Sequence, residues 1–276
     1  MQDKTSKRKK VPRIKVRAVW TIVEKLKDKM SASLEIRFRQ GCFGDYLNIK
    51  NVICQSNLLL GVAWAHFEIY PKRFCLITGF RFGPVENYQS EESPNSFRRR
   101  YFEGFKVVRQ RQLEQLFGSD WTGYPEDDCL RICLLMVVES FKATQEYQIV
   151  DNQLLNLADN LEAWNQFTWG TYLWPNTCTN VYNLNQRYQP RRVFSLPDCV
   201  WPFKFGILES FPEFISRDVF YIAPKSPRFL SWAAGKRLAW NSVNQIIQDS
   251  RKVLSLEFLF TWIYYIFYEY YVNVLF

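Results

Sequence analysis

The side chains that could carry acid–base or nucleophilic chemistry are few, and no catalytic pattern joins them. His66 is the only histidine. Any Cys–His or Ser–His mechanism would need it as the base. It lies in the apolar run 64–68 and no companion motif accompanies it, so a hydrogen-bonded structural histidine is the preferred interpretation. We therefore predict that the chain is not an enzyme and has no catalytic residues.

Two of the seven cysteines have a spacing that would suit a metal. Cys129 and Cys133 share a helix face and could supply part of a zinc site, but such a site needs four ligands. Cys178 and Cys199 are isolated, so buried core thiols are the preferred interpretation. The odd number of cysteines and the missing apolar leader predict reduced thiols in a protein that is not secreted.

Phosphate-binding and paired-acid motifs are also missing. The sequence has neither a G-x-G-x-x-G run nor a G-x-x-x-x-G-K-[ST] run. The acidic runs Glu91–Glu92 and Glu126–Asp128 fall where loops and helix starts are expected, so a solvated face or a cap explains them. No cofactor or metal is predicted.

The positive charge of the chain is concentrated at its start. The formal net charge is +9, and residues 1–17 hold eight basic side chains and one acidic one, which leaves +2 for the rest. Residues 1–18 are therefore predicted to be a disordered basic arm. Their basic cluster is a candidate nuclear-localisation segment, a weak sequence-blind contact for nucleic acid, or simply a solvated tail; its members are Lys7, Arg8, Lys9, Lys10 and Arg13. A second basic run, 98–100, is interpreted as the polar side of a helix.

The remaining sequence predicts a mainly α domain with minor β content (α+β), a single globular domain over about 30–250. Aromatic residues make up 17% of the chain, far more than disordered chains contain. Helical spacing is clear over 19–30, 130–141 and 236–254, and Asp151 is placed to cap a helix through Trp164. Leu34, Ile36 and Phe38 alternate with charged residues as in a strand, although a helix also accommodates them. Prolines from Pro175 onward are expected to break the chain into short pieces.

The segment 253–276 is unusually aromatic, with ten aromatic residues. Glu257 and Glu269 bracket an uncharged run of only eleven residues, whereas a transmembrane helix needs about 20. A charge inside the bilayer is costly, so a membrane anchor is disfavoured. A buried core segment, or a segment cut off from its packing partner, is the preferred interpretation.

Several short motifs, in this order, resemble a plant family known as domain of unknown function 1985. The resemblance covers about residues 34–215. It rests on runs at 42–44, 74–83, 101–102 and 130–141, and above all on 159–165 followed by Trp169–Gly170. Arg73 and Thr168 depart from the usual pattern, which has an acidic residue and a proline there. The motif residues expected to be structural are Cys42, Phe43, Gly44, Thr78, Gly79, Asp159, Leu161, Glu162, Trp164, Asn165, Trp169 and Gly170.

The resemblance implies a transposon-related protein whose relatives often carry a SUMO-type cysteine protease domain downstream. Such a protease would place its nucleophile in an Asp-Cys-Gly context. Here Asp128–Cys129 is followed by Leu130, and Asp198–Cys199 by Val200. The preferred hypothesis is therefore a non-catalytic interaction or scaffold domain with an unknown protein partner, acting in the nucleus or otherwise the cytoplasm. The alternatives are a truncated fragment of such a protease and a nucleic-acid-binding module.

Overall fold

The computed structural model confirms a mainly α chain. It describes residues 13–16, 20–49, 70–85, 96–142, 148–187, 193–196, 199, 201–211, 213, 219–234, 241–243, 245–246 and 248–249. Ten helices, numbered within these ranges, are α1 Trp20–Lys29, α2 Ala32–Gln40, α3 Pro71–Thr78, α4 Phe97–Phe102, α5 Gln110–Gly118, α6 Glu126–Phe141, α7 Asn152–Leu157, α8 Leu161–Gln166, α9 Trp169–Arg187 and α10 Trp201–Ser210. Two 3-10 helices span Gly44–Asn48 and Arg228–Ser231.

The β content of the described ranges consists of two small pairs. Strand β1 (Arg13–Val16) runs parallel to β2 (Val193–Leu196), with Arg13 opposite Val193. Strand β3 (Val219–Tyr221) runs antiparallel to β4 (Trp232–Ala234). Residues 13–16, which the sequence assigned to a disordered arm, therefore belong to a strand. The backbone hydrogen bonds of a ladder do not require apolar side chains, and so the composition of the arm did not indicate them.

The core is one contiguous hydrophobic cluster organised around α6. Twelve of the sixteen residues of α6 are buried, and its first turn carries three acidic residues that complement the helix dipole. An apolar surface on all sides predicts a central helix, as found. Ile22, Val23 and Leu26 of α1 join the same cluster, so the packed domain begins before residue 30.

Helix α2 resolves the ambiguous alternation in favour of a helix. Ser31 caps it by accepting a hydrogen bond from the Leu34 amide at 3.2 Å. Leu34 and Phe38, four residues apart, are buried on one face, whereas Ile36 is 60% exposed. A strand would have placed all three residues on the same side.

Two other predictions of helix boundaries were wrong. Asp151 does cap a helix, but that helix ends at Leu157, and Asn160 caps α8 by accepting from the Ala163 amide. Pro175 lies inside α9 instead of breaking it. Local signals cannot predict either outcome, because tertiary contacts hold the turn at 158–160 and stabilise the helix around the proline.

No helix within the described ranges has the length and apolar character required to cross a bilayer. His66, the pair Glu91–Glu92 and the aromatic segment 253–276 lie outside these ranges, so the predictions made for them stay predictions. The predicted last helix is described in part: residues 241–243, 245–246 and 248–249 are helical, and Val243 is buried.

Candidate functional site

The motif residues converge on one group of packed rings, here termed the aromatic centre. Phe43 is at its middle, 5.1 Å from the Trp169 ring centroid and 5.6 Å from that of Phe141. Trp164 and Trp169 are 4.8 Å apart. Separations of this size and tilted arrangements are those that aromatic pairs favour. The members of the aromatic centre are Phe43, Tyr46, Phe80, Phe141, Trp164 and Trp169.

Hydrogen bonds join the loop at 41–43 to the end of α8. Asn165 accepts from the Cys42 amide through Oδ1 at 2.9 Å. The Trp169 indole N–H donates to the Trp164 carbonyl at 3.2 Å, and the Cys42 thiol lies 3.9 Å from the same oxygen. Two motifs more than 120 residues apart are thus fastened together. In the described structure these contacts position the loop at 41–43 against the end of α8.

Two motif glycines are required by close approach of the backbone or by its conformation. A Cβ at Gly44 would lie 2.1 Å from the carbonyl oxygen of Arg39. Gly79 adopts a left-handed conformation with φ of 76° and ends α3, its amide donating to the Cys75 carbonyl. Beside it, the Thr78 hydroxyl donates to the Phe74 carbonyl at 2.7 Å and accepts from the Phe80 amide.

Gly170 is required by close approach of two segments that are distant in sequence. It lies in the first turn of α9, and its amide donates to the Arg81 carbonyl at 2.8 Å. A Cβ there would lie 2.5 Å from the Phe82 ring. Gly170 therefore allows α9 to touch the chain that follows α3, which a local turn rule does not anticipate.

The second feature is an ion cluster around Asp128, here termed the Asp128 cluster. The Asp128 side chain is 0% exposed and accepts from Arg100 at 2.6 and 3.0 Å. It also accepts from Arg131 at 2.6 Å and from the Tyr101 hydroxyl at 2.9 Å. The sequence predicted a solvated face or a helix cap for this carboxylate. Asp128 does lie in the first turn of α6, but it is not solvated, because Arg100 from α4 is brought against it.

The Asp128 cluster extends to the turn between α7 and α8. Arg131 donates to the carbonyls of Ala158 and Asp159 at 2.9 and 3.4 Å. The Asp159 carboxylate accepts from the Phe97 amide at 2.7 Å, at the start of α4. Four elements, α4, α6, α7 and α8, are therefore joined by charge-assisted hydrogen bonds.

The cluster holds Asp128 ionised. Burial raises the pKa of the Asp128 carboxyl, but hydrogen bonds from Arg100, Tyr101 and Arg131 outweigh burial, so its pKa lies below the ordinary value. Burial and the hydrogen bond to Asp128 raise the pKa of Tyr101. A carboxylate saturated by four donors is poorly suited to accept a substrate proton.

The described cysteines are free thiols, and three of them are protected from ionisation. Burial raises the pKa of Cys42 to about 12. Burial also raises the pKa of Cys133 and, with the charge of Asp128, that of Cys129. Because the thiolate is the reactive form, these side chains behave as core residues, as predicted for Cys129 and Cys133. Within the described ranges no group of three or more His, Cys, Asp or Glu side chains is placed to hold a metal ion.

The other predicted site residues are not part of either cluster. Glu162 is exposed and accepts from Gln166 one turn later at 3.4 Å. Leu161 is half-buried against the core. The structure describes the backbone of Arg13 in β1, while Lys7, Arg8, Lys9 and Lys10 lie outside the described ranges.

The departure at Arg73 has a local explanation, since its guanidinium donates to the Gly206 carbonyl at 3.1 Å and pairs with Glu209 at 3.6 Å.

Sequence reasoning missed one exposed apolar area, here termed the bridge patch (Phe105, Val107 and Ile149). An antiparallel bridge pairs Arg109 with Ile149. The Gln110 amide donates to the Gln148 carbonyl, and the Val150 amide donates to the Val108 carbonyl. Side chains alternate across such a bridge, so Val108 and Val150 are buried while Val107 and Ile149 point outward. These two side chains are 38% and 57% exposed, and Phe105 is 42% exposed. Their non-adjacent positions along the chain gave no local signal.

Comparison of this chain with family models, with curated proteins and with solved structures returns no match. The resemblance drawn from the ordered motifs therefore stays a hypothesis. What the structure adds to it is geometry: the Cys42–Gly44, Thr78–Gly79 and Trp164–Gly170 motifs meet at the aromatic centre.

Proposed function

We propose that this chain is a non-catalytic interaction or scaffold domain of a plant transposon-related protein of the SUMO-protease-like kind. The family part of the proposal rests on the ordered motifs and is supported by their meeting at one packed centre. Residues that recur together in a family for structural reasons are expected to contact one another in this way. The resemblance does not identify the molecule that this domain binds.

One observation carries the non-catalytic part of the proposal: five reactive side chains of the described ranges, four of them buried and one half-buried, are engaged in structural contacts or have a raised pKa. Asp128 is saturated by donors, and Glu139 is paired with Lys142 at 3.0 Å. Cys42, Cys129 and Cys133 have raised pKa values. A general base or nucleophile needs a free lone pair facing a substrate, and these groups do not offer one.

The bridge patch supports the interaction part. Large apolar side chains exposed on two bridged segments are a feature of protein contact sites. Within the described stretch 103–111 the exposed charged side chains are Lys106, Arg109 and Arg111, against one acid, Glu103. Charge complementarity therefore favours a partner segment that presents acidic and apolar side chains.

The test is a pull-down from plant nuclear extract with quantitative mass spectrometry. The bait variants are the double substitution Val107→Ser with Ile149→Ser, and Ile36→Ser as the matched control, because Ile36 is also an exposed apolar residue. We expect the double variant to lose at least about 1.4 kcal/mol of affinity for its partner, a tenfold reduction in capture. The control should retain wild-type capture. Identical partner sets for the three baits would reject the bridge patch as the contact site.

The protease alternative has a separate assay. Incubation of the purified chain with a SUMO fusion substrate should give no cleavage, because the pKa values of Cys42, Cys129 and Cys133 are raised and the sequence lacks the Asp-Cys-Gly context of such a protease. Cleavage that is abolished by a Cys→Ser substitution would overturn the non-catalytic proposal. This result would not depend on the pull-down.

A second candidate function follows from the location of the charge. Eight basic side chains within residues 1–17 favour nuclear import or a phosphate contact. A fluorescent fusion of residues 1–17 should enter the nucleus, and a variant with Lys7, Arg8, Lys9 and Lys10 replaced by Gln should not. If the arm contacts nucleic acid, binding should fall steeply with salt, and the Gln variant should flatten that dependence. A salt dependence unchanged by the substitutions would exclude the arm as the contact.

A further inference from the structure

A cavity of about 430 Å³ lies beside the aromatic centre, since its lining residue Phe229 packs 4.8 Å from the Tyr46 ring. Three parts of the chain form it: α1 and α2, the 3-10 helix Gly44–Asn48, and the segment between β3 and β4. The volume is within the range of about 300–1,000 Å³ typical of small-molecule sites. The residues that line it are Lys27, Arg39, Leu47, Asn48, Ile49, Ile222, Lys225, Phe229, Leu230 and Trp232.

The lining combines an apolar floor with positive charge and contains no carboxylate. Six of the ten lining residues are apolar or aromatic, and three are basic. Arg39 is neutralised by Glu35 at 2.6 Å and also donates to Asn48 at 2.8 Å. Lys27 and Lys225 are exposed and have no carboxylate partner within the described ranges. Two uncompensated ammonium groups therefore border a cavity with an apolar interior.

Trp232 adds an independent observation. This lining residue is 5% exposed, and its indole N–H has no hydrogen-bond partner among the residues that the structure describes. Buried N–H groups nearly always find an acceptor, so an unpaired one in the wall of a cavity is notable. An oxygen of a bound ligand is a chemically suitable acceptor for it.

We infer that this cavity binds a small organic anion with an apolar body. The ring or chain of the ligand would cover the apolar floor, and its carboxylate or phosphate head would lie between Lys27 and Lys225. A metal cation or a basic ligand is disfavoured because the lining offers no carboxylate and already carries excess positive charge. The inference does not depend on the proposed interaction function, which uses a different surface.

Anilinonaphthalene sulfonate is a suitable probe, because it joins an apolar ring system to one negative charge and fluoresces on binding. Phenylnaphthylamine supplies the same rings without the charge. The variants are Lys27→Gln, Lys225→Gln and their combination, with Lys72→Gln as the matched control. Lys72 is also an exposed lysine, and it does not line the cavity. All four are surface changes, and a thermal melt of each checks that the fold is kept.

We expect saturable binding of the anionic probe at one site. Lys27→Gln and Lys225→Gln should each weaken the affinity for the anionic probe about threefold, and the double variant should weaken it about tenfold, as expected for the loss of exposed charge contacts. Lys72→Gln should have no effect, and phenylnaphthylamine should bind all variants equally. Equal affinity of the anionic probe for the double variant and for Lys72→Gln, or an absence of saturable binding, would overturn the inference.

A sedimentation experiment with phosphatidylserine vesicles distinguishes the source of the anion. If the probe binds and the protein stays in the supernatant, the natural ligand is a free organic anion. If the protein sediments with vesicles and the double variant does not, the head group of a lipid occupies the cavity. Sedimentation that is unaffected by the double substitution would reject the lipid source.

Discussion

The aromatic centre and the Asp128 cluster both involve α6 and α8, but they connect their elements by opposite means. In the centre, Phe43, Trp164 and Trp169 meet through ring contacts that tolerate many angles. In the cluster, Asp128 is bound by donors of fixed direction at distances down to 2.6 Å. Apolar packing contributes free energy in proportion to the area buried. A buried ion cluster instead contributes mainly by penalising every arrangement that leaves a charge unpaired.

This difference separates stability from specificity. The aromatic centre would favour any compact arrangement that buries its rings, whereas only one placement of α4 against α6 satisfies Asp128. We expect that damage to the centre lowers the free energy of unfolding at every pH. Damage to the cluster should have an effect that depends on the ionisation of one carboxyl.

The largest effect is expected for Trp164→Ala. The side chain is fully buried, and its removal should lower the free energy of unfolding by about 3–5 kcal/mol, through lost transfer free energy and a residual cavity. A urea melt followed by circular dichroism measures it. Glu162→Ala in the same helix is the control and should change stability by less than about 0.5 kcal/mol. A near-zero change for Trp164→Ala would show that the centre does not stabilise the fold.

Asp128→Ala should have the next largest effect and lower the free energy of unfolding by about 3 kcal/mol. Removal of the carboxylate leaves Tyr101 without its acceptor and leaves Arg131 with backbone carbonyls but no counter-charge, although Arg100, whose side chain is 36% exposed, can be rehydrated. Asp127→Ala is the matched control, because Asp127 is in the same turn but half-exposed and paired with Arg37. Asp127→Ala should lower the free energy of unfolding by less than about 1 kcal/mol. Equal losses for the two variants would contradict the distinction between a buried cluster and a surface ion pair.

Gly44→Ala should lower the free energy of unfolding by about 1–3 kcal/mol, because the added methyl group overpacks the turn. The new Cβ would have to displace the Arg39 carbonyl, which is backbone and cannot rotate away. Gly104→Ala is the control, because no atom lies within 4 Å of a Cβ built there. A melt in which the two variants unfold at the same urea concentration would show that the turn beside Phe43 is not tightly packed.

The smallest effect is a pH dependence that should separate the two regions. The pKa of Asp128 is lowered in the folded state, so the unfolded chain binds its proton first as pH falls. The stabilisation is therefore complete above the unfolded pKa of about 3.9 and is lost as pH drops through the folded pKa. For that reason the difference in unfolding free energy between wild type and Asp128→Asn should shrink below pH ~4. The difference between wild type and Trp164→Ala should stay constant over the same pH range. A parallel decline of both would indicate global acid unfolding instead.

Much of the local structure was predictable because it depends on neighbours in sequence. The apolar surface of α6, the Asp151 cap and the end of α3 at Gly79 all follow from residues within one or two helical turns. The mainly α class follows from the sum of such signals. The predicted interior positions of Cys129, Cys133 and Trp164 were confirmed for the same reason.

Other features depend on contacts between residues distant in sequence and were decided by the tertiary structure. Asp128 is an ordinary helix-start residue until Arg100 is brought against it, and Gly170 is an ordinary glycine until Phe82 is placed 2.5 Å from its missing Cβ. The cavity near Trp232 joins residues that span 27–232, so no window of sequence contains it. By itself the sequence determined which residues are apolar, charged or free to turn. Which of them meet was determined only by folding, because burial and ion pairing are properties of pairs in space.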